Sequence, residues 1–204
     1  MKKLIKENYI WIILSFLIIM LLFLISITLI KENLILDEKG YQVISHLIND
    51  KITPIVKIIT FLASTTFFIG LSILLFILIK NKKIGLSIII NLSLSALINF
   101  ILKNIVQRPR PIGHRLIKET GFSLPSGHSM VSMAFYGFLI YLICKGIKNK
   151  KVKISLITFL SLLILLVGIS RIYLGVHYTT DVLAGYLLGL IYLILYIKAV
   201  KNKI

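Results

Sequence analysis

Three short polar clusters interrupt a sequence that is otherwise almost entirely apolar, and their residue types are suited to binding phosphate. The clusters are KNIVQRPRP (Lys103–Pro111), PSGH (Pro125–His128) and SRIYLGVHYTTD (Ser170–Asp181). Every arginine of the chain lies between the start of the first cluster and the end of the third, whereas lysine carries the positive charge elsewhere. A planar guanidinium group can donate two parallel hydrogen bonds to one phosphate, which a lysine ammonium group cannot. The confinement of arginine to this stretch therefore indicates an anion site.

The third cluster contains a histidine and a carboxylate at a spacing that lets them interact. His177 and Asp181 are four residues apart, so on a helix they would share a face. A carboxylate bound to one imidazole nitrogen leaves the other nitrogen available as a base or nucleophile. Arg171 could then hold a phosphate against the imidazole. The alternative is an ion pair between Asp181 and a nearby base, without catalysis.

The second cluster predicts the start of a helix. Ser126 is a favourable N-cap residue, and Gly127 allows the backbone to approach a ligand closely. Backbone N–H groups at a helix N-terminus bind anions, and His128 in the first turn could protonate a leaving group. The alternative is an ordinary helix start at Pro125, but it leaves a histidine at a membrane interface unexplained.

The first cluster supplies further cations. Lys103 ends an apolar segment, so it either belongs to the anion site or anchors the helix by extending its ammonium group into water. Apart from Glu7 and the acidic residues between positions 31 and 51, the chain has only two carboxylates, Glu119 and Asp181. A divalent metal site for phosphoryl transfer needs several carboxylates, so we expect neither a metal nor a cofactor.

The composition places the chain in a membrane. Of its 204 residues 58% are hydrophobic and 15% are charged, and the mean hydropathy is +0.97. Soluble domains are only about 45–50% apolar. The net charge of +17 would suggest nucleic acid in a soluble protein, but here the lysines form short runs between apolar segments. Membrane topology and anionic lipids explain them better, so the expected partner is the bilayer and not nucleic acid.

We predict an all-α integral membrane protein, with residues 1–204 forming one domain of six transmembrane helices. Segments of roughly 20 apolar residues are long enough to cross the hydrocarbon core. The N-terminal run is long and lacks a small-residue cleavage site, so it is expected to be a retained span. The approximate spans are Tyr9–Ile30, Ile58–Ile79, Ile84–Leu102, Pro125–Cys144, Ile154–Ser170 and Thr179–Ile197.

The distribution of lysine predicts the orientation. With a cytoplasmic N-terminus, most lysines fall on the inner side, in agreement with the positive-inside rule. Both termini are then cytoplasmic, and all three polar clusters face the extracytoplasmic side of the cell membrane. The loop Lys31–Lys51 on that side contains either a short amphipathic surface helix or a packed loop. The inner lysines are Lys2, Lys3, Lys6, Lys80, Lys82, Lys83, Lys145, Lys148, Lys150, Lys151, Lys153, Lys198, Lys201 and Lys203.

Together the three clusters resemble the signature of the type 2 phosphatidic acid phosphatase family. The first matches Lys-x6-Arg-Pro, the second matches PSGH without change, and the third matches Ser-Arg-x5-His-x3-Asp. The chain also resembles the small six-span bacterial branch of that family, which acts on phosphatidylglycerophosphate and undecaprenyl diphosphate.

The resemblance implies a metal-independent lipid phosphate phosphatase that forms a phosphohistidine at the outer membrane face. His177 would attack phosphorus, Asp181 would orient it, and His128 would protonate the leaving oxygen and later activate water. The phosphate would be held by Lys103, Arg110, Ser126, Gly127 and Arg171.

The sequence leaves several alternatives open. Phosphatidylglycerophosphate, phosphatidic acid and undecaprenyl diphosphate are all candidate substrates, as a monoester or a diphosphate. A lipid phosphotransferase of the same fold is the nearest alternative, and a non-catalytic lipid-phosphate binder or transporter is another. Arg108 is a candidate headgroup contact, His114 and Arg115 have no assigned role, and the oligomeric state is not predicted.

Overall fold

The computed structural model describes residues 2–31 and 34–204, and in them the chain forms eight α-helices. This confirms the predicted all-α class. The side chains of Lys2, Lys3 and Lys6, and residues Glu32 and Asn33 of the first predicted loop, lie outside the described part. The helices are α1 Lys2–Ile30, α2 Ile35–Ser45, α3 Ile52–Phe61, α4 Thr65–Leu78, α5 Lys82–Val106, α6 Gly127–Gly146, α7 Lys150–Tyr173 and α8 Thr179–Val200.

Five of these helices are long and apolar enough to cross a membrane, and α3 with α4 forms a sixth candidate span that is bent by 51°. The predicted span Ile58–Ile79 falls on this bent pair, so it is broken into two helices. The break has a local cause, because the Ser64 side chain accepts a hydrogen bond from the Phe67 N–H at 3.2 Å and starts a new helix. The other five predicted spans agree with α1, α5, α6, α7 and α8 within a few residues.

Helix α6 lies at the centre of the bundle, where it contacts α5, α7 and α8. Two glycines of α8 allow α6 to approach closely. A Cβ atom at Gly185 would lie 2.7 Å from the carbonyl oxygen of Ser126, and one at Gly189 would lie 2.6 Å from that of Met130. Small residues at such spacing are typical of close helix pairs in membranes. The start of α6 is thereby held beside the start of α8, and the Ser126 N–H donates to the Asp181 carbonyl oxygen at 3.0 Å.

The short helix α2 covers the end of the bundle at which the polar clusters meet. It overlaps the amphipathic segment predicted in the first loop only at its end, at Val43 and Ile44, and it packs against α7 and α8. Its Ile44 lies against a buried cluster that includes Tyr173 and Leu174, and Asp37 on the same helix is buried. The segment is thus a helix that is fastened to the protein.

Candidate active site

His177 lies between α7 and α8, immediately before Tyr178, the N-cap residue of α8. His177 lies before α8, as the predicted span Thr179–Ile197 has it, because Tyr178 is extended (ψ 158°) and the helix begins after it. The two side chains nevertheless lie together, with His177 Nδ1 3.4 Å from Asp181 Oδ2. Asp181 is the third residue of α8, and its carboxylate also accepts from the Tyr178 N–H at 2.9 Å. This hydrogen bond to the N-cap residue orients the carboxylate towards the imidazole.

The second imidazole nitrogen points at a cation. His177 Nε2 lies 3.1 Å from Arg110 Nη1. Since a guanidinium group can only donate, we assign the imidazole proton to Nδ1, which faces Asp181. Burial, together with the positive charges of Arg171, Arg110 and Lys103, lowers the pKa of His177 well below its usual value. The ring is therefore neutral at neutral pH, and its Nε2 lone pair faces the cations.

Two of those cations are held by backbone carbonyls of the loop before α6. The Lys103 ammonium group donates to the Phe122 oxygen at 2.6 Å. Arg110 donates through Nε to the Gly121 oxygen and through Nη2 to the Thr120 oxygen, both at 3.0 Å. The two side chains come from the end of α5 and the segment after it, so one loop fixes both positions.

The third cation, Arg171, is the most deeply buried of the set. It is 1% exposed, and its Nη1 donates to Thr60 Oγ1 at 2.7 Å, close to the break between α3 and α4. Its Nη2 is bonded to the Glu119 carboxylate. Its Nε is buried and has no acceptor among the described residues. A buried guanidinium with an unused donor is suited to accepting an anion as a further partner.

Glu119 is a member of the site that the motif spacing did not indicate. Its carboxylate binds Arg171 and also lies 3.9 Å from Arg110 Nη2. An anionic group of the protein thus occupies the fork between two arginines. The sequence signal that could have found Glu119 is its negative charge, because very few acidic residues lie near the polar clusters. A phosphate held by these arginines has to compete with it.

The PSGH cluster starts α6 as predicted. Ser126 is the N-cap residue, and its Oγ lies 3.5 Å from the Ser129 N–H and accepts from Ser129 Oγ at 3.0 Å. Gly127 and His128 form the first turn, at the same end of the bundle as His177. The structure thus brings together all the predicted site residues.

His128 and Lys103 line the polar end of a cavity of about 430 Å³ between α4, α5 and α6. The rest of the cavity is largely apolar. Such a cavity could hold a hydrocarbon chain with its head at His128. The apolar walls include Phe68, Ile69, Leu92, Ala96, Phe100 and Val131.

Arg108, the candidate headgroup contact, is only 7% exposed, and its guanidinium is bound within the protein. It donates to Asp181 Oδ1 at 2.7 Å and to Asp37 Oδ2 at 2.8 Å. It also lies over the ring of Tyr178, 4.0 Å from the centroid. Arg108 thus supports the carboxylate beside His177 instead of facing outward.

Arg115 and His114 lie outside the cluster of cations. Arg115 is exposed and donates to the Pro111 carbonyl oxygen at 2.6 Å. The ring of His114 stacks on that of Tyr41 with 5.4 Å between centroids. Across the described ranges, no three His, Cys, Asp or Glu side chains are grouped so that they could hold a metal ion.

Comparison with known proteins identifies the family of this chain. The sequence profile described as "PAP2 superfamily" matches residues 84–204. Phosphatidylglycerophosphatase B of Bacillus subtilis is 39% identical over 124 residues, which is 59% of this chain and 59% of that protein. The undecaprenyl-diphosphatase of Sulfolobus acidocaldarius is 27% identical over 199 residues, which is 90% of this chain and 87% of that protein.

A similar structure has also been solved. The crystal structure of a transmembrane PAP2-type phosphatidylglycerolphosphate phosphatase from Bacillus subtilis superposes with a TM-score of 0.82 at 30% identity. The superposition covers 94% of this chain and 96% of that chain. The family resemblance carried by the three clusters is confirmed.

Proposed function

Since this chain belongs to the PAP2 superfamily, we propose that it is an integral-membrane phosphatase that hydrolyses a lipid phosphomonoester or diphosphate. The reaction proceeds without a metal, through a phosphohistidine at His177. The observation that supports this most is that His177 Nε2 faces the arginine cluster, 3.1 Å from Arg110 Nη1, while Nδ1 faces Asp181. A nucleophile oriented by a carboxylate and aimed at an anion site has the arrangement that covalent phosphoryl transfer requires.

The phosphate is held by the three cations and by the start of α6. Lys103, Arg110 and Arg171 neutralise its charge, and the backbone of Gly127 and the Ser126 hydroxyl donate to its oxygens. These donors are already in place before the reaction, so they stabilise charge that develops in the transition state. Removing one such donor typically costs about 10²–10³ in rate.

His177 acts as the nucleophile, and His128 carries out the proton transfers. His177 Nε2 attacks phosphorus, the bond to the lipid oxygen breaks, and the imidazolium form of His128, which the negative charge of the bound phosphate favours, donates its proton to that oxygen. His128 then removes a proton from a water molecule, whose oxygen attacks phosphorus. The N–P bond breaks and inorganic phosphate leaves. Asp181 keeps the His177 proton on Nδ1 and offsets the positive charge that the ring acquires.

The cavity beside His128 supports a lipid leaving group. In an in-line displacement the leaving oxygen lies opposite the nucleophile, which places it on the His128 side of the phosphate. The apolar cavity of about 430 Å³ begins there and passes between α4, α5 and α6. A lipid chain in that cavity would bring its phosphate to the cations. Candidate substrates are phosphatidylglycerophosphate and undecaprenyl diphosphate, after the two relatives, and phosphatidic acid.

The test is phosphate release by the purified protein from a panel of these three lipids. We expect His177→Ala to reduce the turnover of the preferred lipid by at least about 10³-fold, because the covalent route is lost. Chelation of divalent metals should leave the wild-type rate unchanged. His46→Ala is the matched control, since that histidine is exposed at the end of α2. Near wild-type turnover by His177→Ala would exclude the phosphohistidine mechanism. Transfer of the phosphate to an added acceptor lipid would identify a transferase.

A further inference from the structure

We propose that Asp37, a residue of α2 outside all three motifs, is a positioning residue that acts through Arg108 on Asp181 and so on His177. It holds the Asp181 carboxylate in place and keeps a net negative charge beside the imidazole. The inference rests on the proposed function for its kinetic consequences. The contacts on which it depends are independent of the reaction.

The four side chains form one continuous chain of contacts. Asp37 Oδ2 accepts from Arg108 Nη2 at 2.8 Å, and Arg108 Nη1 donates to Asp181 Oδ1 at 2.7 Å. The other oxygen of Asp181 faces His177 Nδ1 at 3.4 Å. The side chains of Asp37, Arg108 and Asp181 are between 0% and 6% exposed, so solvent screens their interactions only weakly.

Asp37 also fastens α2 to the start of α8. Its Oδ1 accepts from the Thr180 N–H at 2.8 Å, and its Oδ2 accepts from Thr180 Oγ1 at 3.0 Å. That N–H belongs to the first turn of α8 and has no partner within the helix. Gly40, one turn after Asp37, lets α2 lie against Thr179, because a Cβ atom there would overlap the threonine side chain. A carboxylate from a distant helix thus caps the helix that carries Asp181.

The charges of the network explain why a second carboxylate is needed. Arg108 alone would neutralise the pair and weaken the field of Asp181 at His177. With Asp37 present, two carboxylates share one guanidinium, and the group of three has a net charge of −1. Burial by itself would lower the pKa of Arg108, but Asp181 and Asp37 outweigh burial and raise it, so the guanidinium stays charged. The residual negative charge favours the positive ring that His177 becomes on phosphorylation.

The test compares Asp37→Asn with the double variant Asp37→Asn/Arg108→Gln and with Glu38→Gln. Glu38 is the neighbouring, exposed acid of α2 and serves as the matched control. We expect Asp37→Asn to lower kcat by about 10–100-fold while KM changes less than about twofold, because Asp181 does not touch the phosphate. The double variant restores the net charge of −1 and should recover part of kcat. Glu38→Gln should be unchanged.

The double variant separates an electrostatic role from a merely structural one. If Asp37 only held α2 in place, removing Arg108 as well would leave kcat as low as in Asp37→Asn or lower it further. That result would overturn the inference, and so would wild-type kcat in Asp37→Asn. Thermal unfolding of each purified variant identifies any loss of activity that follows from unfolding.

A second readout is independent of turnover. The ring ¹⁵N shifts of His177 in histidine-labelled protein report which nitrogen carries the proton. Wild type should show the proton on Nδ1, Asp37→Asn a mixture of tautomers, and the double variant a return towards wild type. A wild-type tautomer in Asp37→Asn would contradict the inference. If the wild-type protein hydrolysed no lipid phosphate while Asp37→Asn still changed the tautomer of His177, the proposed function would fail and the positioning role would stand.

Discussion

At the scale of single residues, every cation of the site already carries acceptors from the protein. Lys103 and Arg110 bind loop carbonyls, and Arg171 binds Thr60 and Glu119. A buried charge without partners would cost several kcal/mol, so these contacts keep the cations in place between reaction cycles. Glu119 differs from the other acceptors because it carries a full negative charge, so under the proposed function it competes with the phosphate directly.

We predict that Glu119→Gln strengthens the binding of inorganic phosphate. The glutamine keeps the shape of the side chain but removes the carboxylate that the anion must displace. Because the Glu119 side chain is 28% exposed and partly screened, we expect a modest decrease of about two- to fivefold in the inhibition constant of phosphate. The inhibition constant is measured from the inhibition of turnover by added phosphate, with Glu38→Gln as the control. Weaker phosphate inhibition in Glu119→Gln would show that the carboxylate does not compete.

At the scale of elements, the site depends on how closely α6 and α8 approach each other. Ser126 and His128 start α6, and Asp181 lies in the first turn of α8. The two helix starts are joined by the hydrogen bond from the Ser126 N–H to the Asp181 carbonyl oxygen. The glycines on α8 make this distance possible, so packing along the helix pair sets the geometry at its end.

We predict that Gly189→Ala destabilises the protein and lowers its activity. The new Cβ atom would lie 2.6 Å from the Met130 carbonyl oxygen, so α6 and α8 must separate. Overpacking of this kind costs about 1–3 kcal/mol, which corresponds to a decrease of about 2–10 °C in Tm. The decrease in Tm is measured by thermal unfolding of the purified variant in detergent.

Gly70→Ala is the matched control for this substitution. Gly70 is an exposed glycine inside α4 with no atom within 4 Å of its added Cβ, so alanine there should leave the Tm unchanged or raise it. A similar loss of stability in both variants would contradict the close-packing explanation.

At the scale of the whole molecule, the polar site lies at one end of a bundle whose outer surface is apolar. The side chains exposed on α1 include Trp11, Phe16 and Phe23, at 52–67%. Helices α5 to α8 run alternately up and down through the bundle. The three polar clusters therefore meet at one end, and the lysine-rich connections at 80–83 and 145–153 lie at the other. The positive-inside rule then supports an extracytoplasmic site.

Labelling of single cysteines tests this orientation. The native Cys144 is first replaced by serine, and the cysteine-free protein serves as the control. Ile112→Cys, at a position that is 89% exposed near the site, should react with a membrane-impermeant maleimide in intact cells. Ile204→Cys, at the end of the chain, should react only after the cells are permeabilised. The reverse pattern would place the site in the cytoplasm.

Much of the fold and the site followed from the sequence because it depends on local information. A run of apolar residues long enough for the bilayer identifies a span whatever its neighbours are, and five spans agree with helices of the structure. The N-cap role of Ser126 was predicted correctly for the same reason. The contact between His177 and Asp181 was predicted correctly, and it forms across the start of α8, because His177 precedes the N-cap residue Tyr178.

What the sequence by itself determined is the membrane class, the helical spans and the residue types that meet at one end. Only the tertiary structure decided how those residues are coupled. Asp37 lies 71 positions from Arg108, Glu119 lies 52 from Arg171, and Thr60 lies 111 from Arg171. No local spacing encodes such contacts, since they arise when the broken span, α2 and the α6–α8 pair pack together. Buried charges then need partners, and the fold supplies the nearest ones.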